Sequence, residues 1–241
     1  LIAALLSLVV GIRRFEVFRL QRSAFSDPLK EATHHLKIGL PMGLQMSVMC
    51  IGLLAVQAAI NALGSNAIAG FTAASKVDQL SVLINNAFGI AISNYVAQNY
   101  GAGLIKRIKE GIRASLIQIT VANCIMCIGI LLGRGLVVPF FLENPTSEII
   151  SYANTYLLII APFYPLLGLL LVYRSSIQSM GNGRTPFMAC VIELFMRVTA
   201  AFGLAHLFGY LGVCFATPLA WIGAVCLLLP VYFIEMGRRN P

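Results

Sequence analysis

The sequence has few charged residues. Only 11% of its 241 residues are charged, whereas an average soluble domain has about 25%, and 59% are hydrophobic. The mean hydropathy is +0.85. This composition excludes an ordinary soluble domain and predicts a protein that resides in a lipid bilayer.

Catalytic signatures are also missing from the sequence. It contains no G-x-S-x-G, H-E-x-x-H or P-loop lysine motif, and no group of His, Cys and carboxylate residues spaced to hold a catalytic metal. An intramembrane enzyme acting on lipids would need a catalytic pair at the interface, and none is visible. We therefore expect no enzyme activity, no catalytic or metal site, and no cofactor.

Long apolar segments dominate the chain. Six of them are long enough to cross a bilayer, and they cover residues 38–60, 67–98, 114–133, 149–173, 186–208 and 210–234. Pro162 and Pro165 predict a kink in the fourth segment. The predicted fold class is an all-α integral membrane protein, a bundle of six transmembrane helices.

Positive charges are sorted to one side of this predicted bundle. With six crossings, one face receives Arg13, Arg14, Arg19, Arg22, Lys30, Lys37, Lys106, Arg107, Lys109, Arg113, Arg174, Arg184, Arg238 and Arg239. The opposite face has Arg134 alone. Because basic loops stay in the cytoplasm, we expect a multi-pass protein of the cell inner (plasma) membrane with both ends cytoplasmic. Phospholipid head groups, not nucleic acid, are the expected neighbours of these charges.

Four charged residues lie inside the predicted spans: Lys76, Asp78, Glu193 and Arg197. Each costs about 2.5–3.5 kcal/mol at the membrane centre, so such residues normally face a partner or a cavity. Glu193 and Arg197 are four residues apart and can pair on one helix face. The four either form two separate structural pairs or a shared network that lines a transport cavity.

Other polar or adaptable residues in the spans are candidates for lining such a cavity. They are Gln45, Met49, Gln57 and Gln79. Amides in a helix bundle also serve as packing contacts between helices, and methionine fills irregular gaps, so the structural alternative stays open for each.

Several motifs, taken in order, resemble the C-terminal half of the multidrug and toxic compound extrusion (MATE) family. The matching stretches run from about residue 30 to the end: Leu40-Pro41, Gln57 to Asn61, Ala67 to Asp78, Gln98-Asn99-Tyr100-Gly101-Ala102-Gly103, Gln178 to Gly183, Glu193 to Arg197, and Tyr210-Leu211-Gly212. The stretch from Gln98 to Gly103 also predicts a helix C-terminus at which glycine supplies backbone freedom.

The resemblance implies twelve helices in two six-helix lobes around a cavity that opens alternately to each side. Drugs and organic cations would leave in antiport with H⁺ or Na⁺. The missing N-terminal lobe and membrane lipids would be the partners. Residues 1–12 would be the end of a truncated preceding helix, 13–37 a cytoplasmic linker between lobes, 38–234 the second lobe, and 235–241 a cytoplasmic tail.

The sequence departs from the sodium-coupled branch of that family. That branch carries Glu in the first helix of this lobe and Asp in the fourth, whereas those places here hold Met49 and Leu167, which bind no cation. An alternative is a lipid-linked oligosaccharide or polysaccharide flippase of the same superfamily, which would need several basic residues for a pyrophosphate. Only Lys76 and Arg197 are expected within spans. A half-protein without transport activity is a further alternative.

Overall fold

The computed structural model describes residues 2–14, 28–141 and 146–238. The chain divides into two compact units, Leu1–Leu40 and Pro41–Pro241. The first unit contains helix α1, Ile2–Arg14, and the beginning of α2, Pro28–Asn61. The predicted linker at 13–37 is therefore helical from Pro28 onward, and its residues 15–27 lie outside the described part of the chain, as does the predicted tail from 239.

The second unit is all-helical. After α2 come α3 (Ser65–Gly101), α4 (Ile105–Phe140), α5 (Ser147–Ile160), α6 (Tyr164–Ser179), α7 (Arg184–Thr199), α8 (Ala205–Phe208), α9 (Tyr210–Cys214) and α10 (Ala216–Arg238). The described residues form no β-strand. Basic residues that the sequence placed between spans, such as Lys106 and Lys109, lie within α4 because that helix begins at Ile105.

In the described residues, six helical segments are long and apolar enough to cross a membrane, which confirms the predicted number. They are Gly39–Asn61, Ser65–Gly101, Ile105–Leu136, Ser147–Ser179, Arg184–Phe208 and Tyr210–Gly237. Large apolar side chains such as Leu132, Leu136 and Phe140 are more than four-fifths exposed, at 82%, 84% and 84%. Such surfaces are suited to lipid and not to water.

The last three spans are interrupted helices. In the fourth, a 3₁₀ turn at Ala161–Phe163 separates α5 from α6, where Pro162 removes a helical hydrogen-bond donor. In the fifth, the five residues Ala200–Leu204 form a π-helical turn between α7 and α8. Gly209, with φ of 57°, ends α8, and in the sixth span Phe215 separates α9 from α10. Short 3₁₀ and π-helical turns of this kind are common places for a helix to bend.

Helix α3 ends in a Schellman motif. The Leu104 N–H donates to the Asn99 carbonyl (2.9 Å) and the Gly103 N–H donates to the Tyr100 carbonyl (3.0 Å). Gly103 has φ of 71°, in the left-handed region that favours glycine. The glycine that this turn requires is therefore Gly103, while Gly101 is the last helical residue.

Helix α6 lies at the centre of the second unit and packs against α3, α4, α7 and α10. Glycine permits close helix approach at α6: a Cβ at Gly168 of α6 would lie 2.7 Å from Asn123 Nδ2 of α4. The side chains of α6 that face inward thus meet residues from several spans at once.

Candidate functional site

A cavity of about 360 Å³ lies within the second unit. Its apolar wall includes Trp221, Phe71, Met49 and Leu167. Its polar lining is Gln57, Ser75, Asp78, Gln79, Asn86, Tyr156, Arg174, Glu193, Arg197 and Thr217.

Six of the eight residues predicted from the sequence line this cavity: Met49, Gln57, Asp78, Gln79, Glu193 and Arg197. The other two do not. Lys76 is exposed on the surface of α3, and Gln45 is buried outside the cavity, 8% exposed. Lys76 and Asp78 are two residues apart, about 200° around the helix, so they point to different sides.

Three charged side chains form a buried cluster between α6 and α7. Arg174 Nη2 donates to Glu193 Oε1, and Arg197 Nη2 lies 3.8 Å from Glu193 Oε2. The three residues are only 4–5% exposed. The predicted pairing of Glu193 with Arg197 is confirmed. Two arginines share one glutamate, so the cluster carries a surplus positive charge.

The cluster also has unmet hydrogen-bonding capacity. The Nε–H groups of Arg174 and Arg197 are buried and have no hydrogen-bond partner among the described residues. Most buried polar groups in proteins are paired, and each exception requires an explanation. Because both arginines line the cavity, their free donors are available to a bound molecule or to water.

Arg174 was not predicted at this site. Its sequence position suggested a polar loop between the fourth and fifth spans, which is wrong: α6 continues to Ser179, and Arg174 is buried within it. The sequence feature that could have indicated this longer helix is Gly181, seven residues after Arg174. Gly181 has φ of 88° and lies just after the end of α6. A glycine at a helix end places the preceding two turns inside the helix.

Helix α2 accommodates Arg197 at Gly52. A Cβ at Gly52 would lie 3.3 Å from Arg197 Nη1 and 3.4 Å from Arg197 Cδ. The missing side chain therefore leaves room for the guanidinium between α2 and α7.

The anionic side of the cavity is Asp78 of α3. Its Oδ2 accepts a hydrogen bond from the Tyr156 hydroxyl of α5 (3.3 Å). The Tyr164 hydroxyl of α6 also lies beside this carboxylate, and the buried Oδ1 has no well-formed hydrogen bond among the described residues. Within the described chain no ion pair joins Asp78 to either arginine. The cavity thus has a cationic cluster and a separate carboxylate, each with an unsatisfied atom.

A second buried polar contact lies outside the cavity and joins α3 to α4. Asn85 Nδ2 donates to Asn123 Oδ1 (2.8 Å), and Asn123 Nδ2 donates back to Asn85 Oδ1 (2.9 Å). Asn85 also donates to the Ser81 carbonyl (2.8 Å). This pair, which we name the amide clasp, is the packing contact expected of amides between membrane helices.

No metal centre is formed by the parts of the chain that the structure describes, in which no group of three or more His, Cys, Asp or Glu side chains comes together. The cavity instead offers hydrogen-bond donors, one free carboxylate oxygen and apolar wall. Such a surface can bind an amphipathic molecule without changing it chemically.

The MatE family matches residues 41–202, which is most of the second unit. The chain belongs to the MATE family. It is 32% identical over 152 residues to the probable multidrug resistance protein YpnP of Bacillus subtilis (63% of this chain, 34% of YpnP). It is 27% identical over 208 residues to the probable multidrug resistance protein YoeA of the same organism (85% of this chain, 44% of YoeA).

Solved MATE structures share this fold. The Vibrio cholerae MATE transporter VcmN in its bent form superimposes with a TM-score of 0.84 at 15% identity, covering 98% of this chain and 53% of VcmN. The lipid II flippase MurJ is more distant, with a TM-score of 0.63 at 18% identity over 88% of this chain and 47% of MurJ. The chain spans about one third to one half of the length of these proteins, and it is a multi-pass membrane protein of the MATE type.

Proposed function

We propose that this chain is the second lobe of a two-lobe secondary transporter that exports small molecules. The observation that carries the proposal is the cavity, which holds Asp78, Arg174, Glu193 and Arg197 inside membrane-spanning helices. Charges at this depth are expensive and are normally kept for substrate or ion pathways. A cavity between two lobes needs both of them, so this chain alone should not transport.

The proposed substrates are drugs and organic cations, exchanged for H⁺ or Na⁺. The names of YpnP and YoeA, both probable multidrug resistance proteins, support this class. Within this lobe, Asp78 is the carboxylate best placed to meet a cation, because its Oδ1 is unpartnered while Glu193 is engaged with two arginines. Met49 and Leu167 contribute apolar surface in this proposal.

The test is efflux by the intact transporter that contains this lobe, reconstituted in vesicles with imposed pH or Na⁺ gradients. We expect gradient-driven efflux of a cationic dye, and Asp78→Asn should lower it strongly per folded protein. Glu110→Gln is the matched control, because Glu110 is exposed and lies outside the cavity. Absence of gradient-driven efflux, or normal efflux by Asp78→Asn, would contradict the proposal.

A flippase for lipid-linked oligosaccharides is the second candidate. Arg174 strengthens it, because the cavity has two arginines around one glutamate where the sequence indicated a single arginine. A pyrophosphate could accept from their free Nε–H groups. Competition of dye efflux by a soluble undecaprenyl-pyrophosphate analogue, and not by organic cations, would favour this candidate.

We further propose that the lobe lies in the cell membrane with both ends in the cytoplasm. The positive charges of the connections support this orientation. Ala102→Cys, in the connection after α3, should react with a membrane-impermeant maleimide only from the cytoplasmic side, and Ala62→Cys, after α2, only from outside. The reverse labelling would overturn the orientation without affecting the transport proposal.

A further inference from the structure

A second groove lies at the end of the bundle where α4 begins and α10 ends. Its volume is about 760 Å³. Its floor is the pair of Tyr173 of α6 and Tyr232 of α10, whose ring centroids are 4.9 Å apart and whose side chains are largely buried. Helices α4 and α10 both pack on α6 and form its walls. The groove is separate from the charged cavity and shares no lining residue with it.

The α4 wall changes from basic to apolar along the helix. The residues that line it recur with helical spacing and therefore share one face: Lys109, Ile112, Arg113, Leu116 and Ile117. Arg113 is the last charge before the charge-free segment 114–133. The basic side chains therefore lie at the boundary between the head-group region and the hydrocarbon core, and Ile117, 58% exposed, lies one turn deeper.

The α10 wall adds apolar surface without adding negative charge. Phe233 is 58% exposed, and Gly237 has open space where a Cβ would stand. The acidic residues nearest in sequence, Glu110 and Glu235, are not part of the lining, and Glu235 accepts a hydrogen bond from Asn182 instead. The groove is therefore basic at its rim and apolar below it.

We propose that this groove is a binding site for an anionic phospholipid. The phosphate would lie against Lys109 and Arg113, and an acyl chain would follow Ile117 and Phe233 over the tyrosine floor. Basic pockets between transmembrane helices recognise acidic head groups, and long basic side chains reach the interface while their stems pack on apolar surface. A lipid acyl chain would cover the apolar part of the groove, whereas a soluble anion would leave that surface uncovered.

The test measures lipid binding to the purified protein in phosphatidylcholine nanodiscs, titrated with phosphatidylglycerol and read by native mass spectrometry and by the melting temperature. Neutralising each basic residue should weaken binding about fivefold, so Lys109→Gln with Arg113→Gln should weaken it by more than tenfold. Arg113→Lys keeps the charge and should retain most binding. The melting temperature in pure phosphatidylcholine reports whether each variant is folded.

The matched control is Lys106→Gln with Arg107→Gln. These residues lie in the same first turns of α4 and change the net charge equally, but they do not line the groove. The control should bind phosphatidylglycerol as the parent does. An equal loss in the control, equal binding of phosphatidylcholine and phosphatidylglycerol, or full competition by glycerol phosphate would each overturn the site.

Discussion

Two buried polar clusters in this lobe differ in how completely they are satisfied. In the amide clasp, Asn85 and Asn123 exchange two hydrogen bonds. Asn85 Nδ2 also donates a hydrogen bond to the Ser81 carbonyl. In the charged cluster, two arginines share Glu193, and neither of their Nε–H groups has a partner in the part of the chain that the structure describes. The clasp lies away from the cavity, whereas all three charged residues line it.

This difference separates a folding role from a functional one. A polar contact whose groups are paired holds two helices together and has nothing left to offer a ligand. A buried cluster with free donors is costly, and we propose that a transported molecule uses those donors in the cavity. We therefore expect changes in the clasp to alter stability and changes in the charged cluster to alter transport.

The largest expected effect is that of Glu193→Gln. It leaves two buried arginines without a counter-charge, and breaking a buried ion pair in this way costs about 3–5 kcal/mol. The amount of folded protein and the efflux by the intact transporter should both collapse. Glu148→Gln is the matched control, because Glu148 is exposed and accepts from Asn66 at the surface.

Removing all three charges distinguishes stability from function. The triple change Glu193→Gln, Arg174→Gln and Arg197→Gln leaves no charge in this cluster and should restore much of the folded protein. Efflux per folded protein should stay low, because the free donors are gone. Normal efflux by the triple variant would show that the cluster is only structural.

The next effect is that of Gly168→Ala. The added Cβ would lie 2.7 Å from Asn123 Nδ2 and 3.2 Å from Asn85 Oδ1, so it would clash with the amide clasp. Overpacking of this kind costs about 1–3 kcal/mol. The melting temperature in detergent should fall while efflux per folded protein stays unchanged.

Gly52→Ala is its counterpart at the charged cluster. Its Cβ would lie 3.3 Å from Arg197 Nη1 and 3.6 Å from Leu194 Cδ1, which are both side-chain ends, so stability should change little while efflux or substrate preference shifts. If Gly168→Ala alters efflux and Gly52→Ala does not, the assignment of roles is reversed.

Sequence patterns within single helices predicted much of the fold and part of the charged cluster. The lengths of the apolar runs predicted six spans, prolines predicted the break at Ala161–Phe163, and spacing of four predicted the pair of Glu193 and Arg197. Each of these depends on residues close together in one helix.

Contacts between helices were not predictable in the same way. The pairing of Glu193 with Arg174 of α6 depends on where α6 ends and on how α6 is rotated against α7. The exposure of Lys76 likewise depends on which side of α3 faces the bundle. Apolar runs in lipid are hydrophobic on all sides, so their sequence carries little information on rotation.

A double-mutant cycle on the clasp should give a smaller effect. Asn85→Ala and Asn123→Ala should each lower the melting temperature, and together they should lower it by less than the sum. The coupling expected for an interhelical hydrogen-bonded pair in such a cycle is about 0.6 kcal/mol. Asn86→Ala is the control: it neighbours Asn85 but lines the cavity, so it should change efflux more than stability.

The smallest effect is expected at the end of α3, where the sequence indicated a structural role for the stretch from Gln98 to Gly103. Gly103 has φ of 71°, and a side chain in the left-handed region costs about 1 kcal/mol. Gly101 is helical and a Cβ there would meet nothing within 4 Å. Gly103→Ala should therefore lower the melting temperature, while Gly101→Ala should leave it unchanged or raise it, because alanine favours the helix. Neither should change efflux per folded protein, since both residues lie outside the cavity. Equal losses in the two variants would show that this turn depends on packing against a neighbour and not on the backbone conformation of one glycine.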